Sequence, residues 1–167
     1  VRHLRAVLDV VDLEQELVLR DAIALDPFLG GRVEVDVRIL RPYAATQAGI
    51  VFDYRDGTHY RYVLFSVNRQ TITIGEVDWD GPGTVNRSNR STQRVAVRAT
   101  RGAWHHLAVD LDSVSGTVNV YLDAATLPAA TKAFSSVGQG RVGIRAYHAS
   151  LRATFDNFSV QDASALP

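Results

Sequence analysis

Arginine, aspartate, asparagine and tyrosine side chains recur at alternate positions of several short apolar segments. In a β-strand this alternation turns one set of side chains to the core and the other to solvent. Planar polar groups on a solvent face can hydrogen-bond hydroxyl groups of a ligand, and aromatic rings can stack on its apolar face. We therefore predict a ligand-binding cluster on one sheet, formed by Asp53, Arg55, Arg61, Asn119, Tyr121, Arg145 and Tyr147.

The same pattern has a structural explanation, because the solvated face of any antiparallel strand is polar. If the ligand were a uronate, the arginines would add bidentate recognition of its carboxylate. Trp79 lies outside any alternating segment, in a stretch rich in Gly, Asn and Ser. It is interpreted either as an anchor that packs the loop on the body of the protein or as an exposed platform for a sugar. Trp104 opens an alternating segment and is interpreted as structural.

Two places in the sequence invite a metal interpretation. His105 and His106 are adjacent in a predicted strand, so their side chains point to opposite faces and cannot bind one ion together. His105 shares parity with Leu107 and is predicted at the edge of the core. Asp156 shares parity with Phe158, which predicts a carboxylate on a core face. Such a group must be hydrogen-bonded, paired or metal-bound, unless a bulge shifts the parity.

Catalytic signatures are weak. The chain has four glutamates, Glu14, Glu16, Glu34 and Glu76, which argues against hydrolysis by a glutamate pair. It has no cysteine, which excludes a cysteine nucleophile and a zinc–thiolate site. No nucleophile elbow, P-loop or dinucleotide fingerprint is present. Asp53 is the one acid–base candidate that the pattern suggests.

The elements that must position these residues are short strands. Segment 32–39 alternates strictly, and the Asp56-Gly57 pair between two apolar runs predicts a hairpin. Strands are predicted over 32–39, 49–54, 59–67, 71–77, 94–99, 104–112, 116–123, 140–147 and 151–160, and two further strands over 3–9 and 16–20. A long loop is predicted over 78–93, and helices should be minor. About a dozen short strands favour a single all-β, two-sheet antiparallel sandwich over 1–167, in which 1–30 contributes the strands at 3–9 and 16–20.

Composition sets further limits. The 18 basic and 18 acidic residues cancel, so we expect no general attraction to nucleic acid. No apolar run approaches the roughly 18 residues that span a bilayer, so no membrane insertion is expected. Because the first residue is Val1, we expect the sequence to be a processed or excised part of a larger protein.

Four segments resemble the concanavalin A-like lectin/glucanase jelly rolls, especially the laminin-G-like and 3-keto-disaccharide-hydrolase-like branches. They are the hairpin Ala48–Tyr62, the Trp104-His-His-Leu-Ala-Val motif, the strand Thr117–Asp123, and the closing pair Gly140–Arg145 and Thr154–Val160. The sequence departs from the pattern at Asp53, where the family has arginine, and at Ala124, where it has glycine. The first thirty residues do not match the usual opening motif.

The resemblance implies a lectin-like carbohydrate-binding module of a larger secreted or surface protein, located outside the cell or on its surface. Its partners would be a glycan or polysaccharide and other domains of the same polypeptide. It also implies a structural calcium ion near the closing strand, with Asp156 as a ligand. Two alternatives stay open. One is a glycoside hydrolase or lyase whose cleft is lined by Asp53, Arg55, Arg61 and Arg145, and the other is a structural or protein-binding spacer.

Overall fold

A computed structural model describes residues 2–3, 8–9, 28–40, 47–78, 89–138, 140–147 and 153–163 of the chain. These residues contain twelve β-strands and no α-helix. The strands are β1 (Arg2–His3), β2 (Leu8–Asp9), β3 (Gly31–Ile39), β4 (Gln47–Asp56), β5 (His59–Ser66), β6 (Thr71–Asp78), β7 (Asn89–Ala96), β8 (Trp104–Asp112), β9 (Thr117–Leu122), β10 (Ala130–Ala133), β11 (Arg141–Tyr147) and β12 (Ala153–Asp162). No helix within the described ranges could cross a membrane.

The strands form two antiparallel sheets. The seven-stranded sheet has the order β1-β12-β3-β8-β9-β10, with β2 also paired to β12. The five-stranded sheet has the order β11-β4-β5-β6-β7, in which β4 to β7 are antiparallel neighbours in chain order. The predicted two-sheet antiparallel sandwich is confirmed.

The core lies between the sheets and follows from the alternation of the strands. In β3 every odd residue from Val33 to Ile39 is fully buried, and every even residue from Arg32 to Arg38 is half-buried on the other face. Ile50 and Phe52 of β4 belong to the same core cluster. Burial of each such side chain contributes about 1.5–3 kcal/mol to folding, so the alternation fixes which face of each sheet turns inward.

The five-stranded sheet is apolar on both faces. Val63 and Phe65 of β5 join the core between the sheets. Tyr62 and Leu64, which alternate with them along the strand, belong to a second buried cluster on the outer face of this sheet. That cluster, called here the outer tyrosine cluster, comprises Val51, Tyr60, Tyr62, Leu64 and Val77, with Tyr54 packed against it. Because both alternating sets of residues in 59–67 include apolar side chains, alternation alone does not decide which face of this strand turns to the core.

Two β-bulges correct parity predictions. The register between β12 and β3 shifts between Asp156 and Ser159, and Asn157 has a φ of 51°. The extra residue turns both Phe155 and Phe158 to the core, so the prediction that Asp156 lies on the core face was wrong. In β4 a similar shift follows Phe52, and Asp53 has a φ of 50°. Tyr54, which unbroken alternation from Ile50 and Phe52 would place in the core, therefore joins the outer tyrosine cluster.

Other boundaries also differ from prediction. β7 begins at Asn89, so the loop predicted over 78–93 does not extend to 93; residues 79–88 lie outside the described part. β10 was not predicted, because its edge strand Ala-Thr-Lys-Ala is short and lacks apolar alternation. The predicted strand 16–20 lies outside the described residues, and of 3–9 only short pieces of β1 and β2 are described.

Candidate functional site

A pocket of about 280 Å³ opens at one end of the five-stranded sheet. It is built where β4 ends, β5 begins and β6 ends, and Ser135 and Ser136, which follow β10, line one side. Three predicted ligand residues, Asp53, Arg55 and Arg61, come together here. The lining residues are Asp53, Arg55, His59, Tyr60, Arg61, Glu76, Val77, Asp78, Ser135 and Ser136.

Arg61 is the centre of a nearly buried ion network at this pocket. It shares parity with Val63, so it lies on the inner face at the end of the sandwich, and its side chain is 14% exposed. Its Nη1 donates to Asp53 Oδ2 at 2.7 Å and its Nε donates to Glu76 Oε2 at 2.6 Å. Nη1 also donates to the carbonyl of Ser136. Charge-assisted bonds of this kind offset the cost of taking the guanidinium out of water.

Glu76 is placed opposite Arg61 by the β5–β6 hairpin. The strands are joined by a four-residue turn, Val67–Gln70, which sets Ser66 opposite Thr71 and therefore Arg61 opposite Glu76. Sequence reasoning did not single out Glu76 as a site residue. The length of the turn was the signal that could have found it, because in a hairpin the turn determines the register.

Asp53 joins β4 to the segment that precedes β11. Its Oδ1 accepts a hydrogen bond from the backbone N–H of Gly138 at 2.7 Å, while Oδ2 accepts from Arg61. Gly140 lies so close that a Cβ there would be 2.5 Å from the carbonyl carbon of Asp53. Both carboxylate oxygens are therefore engaged by the protein, and proton transfer to a ligand would require breaking these bonds.

The rim of the pocket carries a histidine between two carboxylates. His59 Nδ1 is 3.1 Å from Asp56 Oδ1, and His59 Nε2 is 3.6 Å from Asp78 Oδ1. The hydroxyl and the backbone N–H of Thr58 both donate hydrogen bonds to Asp56. These bonds, the hydroxyl's being the stronger influence, hold the pKa of the Asp56 carboxyl well below its usual range, and His59 makes a smaller contribution.

Tyr60 connects the pocket to the outer tyrosine cluster. Its ring lies 6.1 Å from that of Tyr54 and 6.3 Å from that of Tyr62. Arg145 of β11 donates to the Tyr60 hydroxyl, and its guanidinium carbon lies 5.0 Å from the Tyr60 ring centre. Arg145 is 4% exposed and is not among the lining residues, so here it positions Tyr60.

The remaining predicted ligand residues lie elsewhere. Asn119 and Tyr121 belong to β9 of the seven-stranded sheet, so the expectation that all of them share one sheet was wrong. The parity pattern assigns faces within a strand, but it cannot assign strands to sheets. Tyr147 pairs with Gln47, six residues and roughly 20 Å along β4 from Asp53. Trp79 lies outside the described residues, and the ligand-binding roles of all these residues stay predictions.

Asn119 and Tyr121 take part in cross-strand contacts of their own. Asn119 Oδ1 accepts a hydrogen bond from the hydroxyl of Thr131 at 2.8 Å. The guanidinium of Arg32 lies over the Tyr121 ring at 5.1 Å. Burial, followed by the charge and hydrogen bond of Asp110, raises the pKa of the Tyr121 hydroxyl. The Asn119 amide oxygen and the Tyr121 hydroxyl are therefore engaged within the sheet.

The structure bears differently on the two places where the sequence invited a metal interpretation, the histidine pair and Asp156. His105 is buried at the core edge as predicted, with Nδ1 2.9 Å from Asp123 and Nε2 2.9 Å from the Thr100 carbonyl. Asp156 lies half-buried on the outer face opposite Asp36, which removes the buried carboxylate that motivated the calcium prediction. Among the described residues, no group of three or more His, Cys, Asp or Glu could hold a metal ion.

The fold has many relatives among solved structures, although no family model and no curated protein sequence matches the chain. The chain is similar to the carbohydrate binding module CBM66 from Bacillus subtilis, with a TM-score of 0.63, 12% identity, and coverage of 91% of this chain and 92% of that one. It is similar to the Ruminococcus gnavus IT-sialidase CBM40 bound to alpha2,3 sialyllactose, with a TM-score of 0.60, 10% identity, and coverage of 97% and 94%. It is also similar to the Caenorhabditis elegans galectin LEC-6, with a TM-score of 0.56, 12% identity, and coverage of 91% and 96%. At these identities the likeness establishes the fold alone, and the chain has the jelly-roll fold of the concanavalin A-like lectins and glucanases.

Proposed function

We propose that this chain is a carbohydrate-binding domain that holds one sugar unit in the pocket beside Arg61. The observation that carries the proposal is the convergence of Asp53, Arg61, Glu76 and Asp78 in one pocket, with Tyr60 also in its lining. The groups are held by bonds to one another, so they meet a ligand with little loss of side-chain freedom. Hydroxyl groups both donate and accept, which suits a site that mixes carboxylates and guanidiniums.

The size of the pocket and the proteins that share the fold both support a sugar as the ligand. A volume of about 280 Å³ lies just below the roughly 300 Å³ at which pockets for larger ligands begin, so a single ring or chain end fits the space better than a long segment. Two of the similar structures are carbohydrate-binding modules and another is a galectin. The inference from fold to ligand is an analogy, and the pocket supplies its physical basis.

The same contacts favour binding over hydrolysis. A glycosidase needs one carboxyl group that can give up a proton and a second placed across the scissile bond. Asp53 has both oxygens engaged, and Glu76 Oε2 is bound to Arg61. Groups committed in this way recognise a ligand without exchanging protons with it.

We further propose the setting that the sequence suggested: a module of a larger secreted or surface protein, acting beside other domains of that polypeptide. A structural calcium ion at Asp156 also stays a prediction. It requires that calcium raise the melting temperature and that EDTA reverse the rise. An Asp156→Ala variant that responds to calcium and EDTA as the unaltered chain does would exclude Asp156 as a ligand.

Glycan-array screening followed by isothermal titration calorimetry tests the binding proposal. Asp78→Asn, at the exposed rim, should weaken binding of the best glycan about fivefold to tenfold through the loss of a hydrogen bond to a charged group. Asp162→Asn, an exposed aspartate at the end of β12 outside the pocket lining, is the matched control and should leave the affinity unchanged. Absence of binding to every glycan on the array would refute the proposal.

A further inference from the structure

We infer that the pocket selects neutral or amino sugars and discriminates against uronic and sialic acids. This inference rests on the proposed function and assigns a ligand class to the same pocket. It departs from what the arginines alone suggest, because Arg55 and Arg61 first indicate recognition of an acidic sugar.

The pocket has an excess of negative charge. Its lining contains three carboxylates, Asp53, Glu76 and Asp78, against the two guanidiniums of Arg55 and Arg61. With His59 neutral, the lining carries one net negative charge. Asp56 lies against His59 and adds another negative charge at the rim. With His59 protonated, the lining together with Asp56 at the rim still carries one net negative charge. A ligand carboxylate would therefore enter a field of its own sign.

Arg61 cannot present two of its nitrogens to a ligand carboxylate without losing a partner within the protein. Its Nε bonds to Glu76, and its Nη1 bonds to Asp53 and to the Ser136 carbonyl. A bidentate acid would have to displace at least one of these partners. Asp53 is only 9% exposed, so its displacement would leave a nearly buried carboxylate without its counter-charge.

Arg55 does not restore the balance. Its side chain is exposed at the rim, where water screens its charge. Carboxylates facing the pocket can instead accept hydrogen bonds from sugar hydroxyls. An ammonium group at the sugar ring would add attraction to Glu76 and Asp78. Neutral rings should therefore bind, and amino sugars should bind at least as tightly.

Matched methyl glycosides separate charge from shape. For the gluco, galacto and manno configurations, the hexoside, the 2-amino-2-deoxy hexoside and the uronide are titrated against the isotope-labelled chain at pH 7 and followed by NMR. We expect the uronide of each binding configuration to have a Kd at least about tenfold above that of the hexoside at low salt. The difference between the Kd values of the uronide and the hexoside should become smaller at about 0.15 M salt, where the screening length is roughly 8 Å.

The variant Glu76→Gln tests whether this pocket is the origin of the selectivity. The glutamine oxygen can still accept from Arg61 Nε, but one negative charge is lost, so the ratio of uronide to hexoside Kd should fall about threefold or more. Asp162→Asn removes an equal charge at the exposed end of β12 and should leave the ratio unchanged. Melting curves of both variants confirm that they are folded.

The outcomes are distinct. Uronides that bind as tightly as hexosides would overturn the inference and leave carbohydrate binding in place. A ratio that Glu76→Gln does not move would overturn the assignment of selectivity to this pocket. If none of the glycosides and no glycan on the array binds, the proposed function fails and the inference fails with it.

Discussion

The role that the sequence predicts for Arg61 differs from the role that the structure indicates. In the sequence it is an arginine between two tyrosines, the type expected to meet a ligand. In the structure it is fastened to Asp53 and Glu76 on either side, and its guanidinium carbon lies 4.6 Å from the Phe134 ring centre. It therefore organises the pocket as a positioning residue and holds the carboxylates that would contact a ligand.

Removal of Asp53 should destabilise the whole domain. Asp53→Ala leaves Arg61 and the Gly138 N–H without a carboxylate at a nearly buried position, and we expect a loss of about 2–4 kcal/mol in the free energy of unfolding. Urea denaturation measures it. Arg55→Ala, two residues away but exposed, should stay within about 0.5 kcal/mol. Equal effects of the two variants would mean that the Asp53 network does not stabilise the fold.

The Asp56 carboxyl should give a pH-dependent signature through Thr58. Because its folded-state pKa is lowered, its contribution to stability is present above its unfolded pKa of about 3.9 and is lost as the pH falls through the folded pKa. Thr58→Ala removes the hydroxyl donor, so the Asp56 pKa should rise in an NMR titration. The stability deficit of the variant should be largest near neutral pH and shrink in acid.

Thr131→Ala is the control for this titration. The Thr131 hydroxyl donates to the neutral amide oxygen of Asn119, so its loss should cost the same at every pH. If the deficit of Thr58→Ala were equally independent of pH, the hydrogen bond from Thr58 would not be what lowers the Asp56 pKa.

At the scale of elements, two bulges decide where the functional side chains point. One extra residue in β12 moves Asp156 away from the core, and one irregularity in β4 aims Asp53 at Arg61 and Gly138. A bulge disrupts the pairing locally and reverses the alternation beyond it. Alternation read along the chain is therefore reliable up to the bulge and inverted after it.

The bulge at Asn157 predicts a specific order of stabilities. Asparagine and glycine tolerate a φ of 51°, whereas a β-branched residue does not. Asn157→Gly should change the free energy of unfolding by less than about 0.5 kcal/mol, while Asn157→Val should lower it by about 1–2 kcal/mol. Ser159→Val, on the same strand after the bulge, should be tolerated, because strands favour valine. Equal stability of Asn157→Val and the unaltered chain would contradict the bulge.

At the scale of the whole molecule, stability comes from the core between the sheets. Phe65 is fully buried there and packs edge-on against His105, which in turn is held by Asp123 and Thr100. The five-stranded sheet therefore contacts the other sheet through one face, while its opposite face carries the outer tyrosine cluster beside the pocket.

The contribution of this core to stability can be measured with a substitution at Phe65. Phe65→Ala should lower the free energy of unfolding by about 3–5 kcal/mol, because it removes a buried ring and leaves a cavity. Leu127→Ala, at a leucine that is 77% exposed, should change it by about 0.5 kcal/mol or less. Differential scanning calorimetry of the two variants checks the contrast. A loss below 1 kcal/mol for Phe65→Ala would be incompatible with its place in the core.

The sequence by itself determined most of the strands and most of their faces. The alternation of Val33 to Ile39, the Asp56-Gly57 hairpin and the buried face of β8 all follow from side-chain period and turn chemistry, which act between residues close in the chain. Only the tertiary structure decided which strands share a sheet and what meets Arg61. Ser136 is 75 residues from Arg61 in sequence, and Asn119 and Tyr121 belong to the opposite sheet. Such partners are selected by the packing of the whole core, because strand order depends on the sum of many long-range contacts and not on any local pattern.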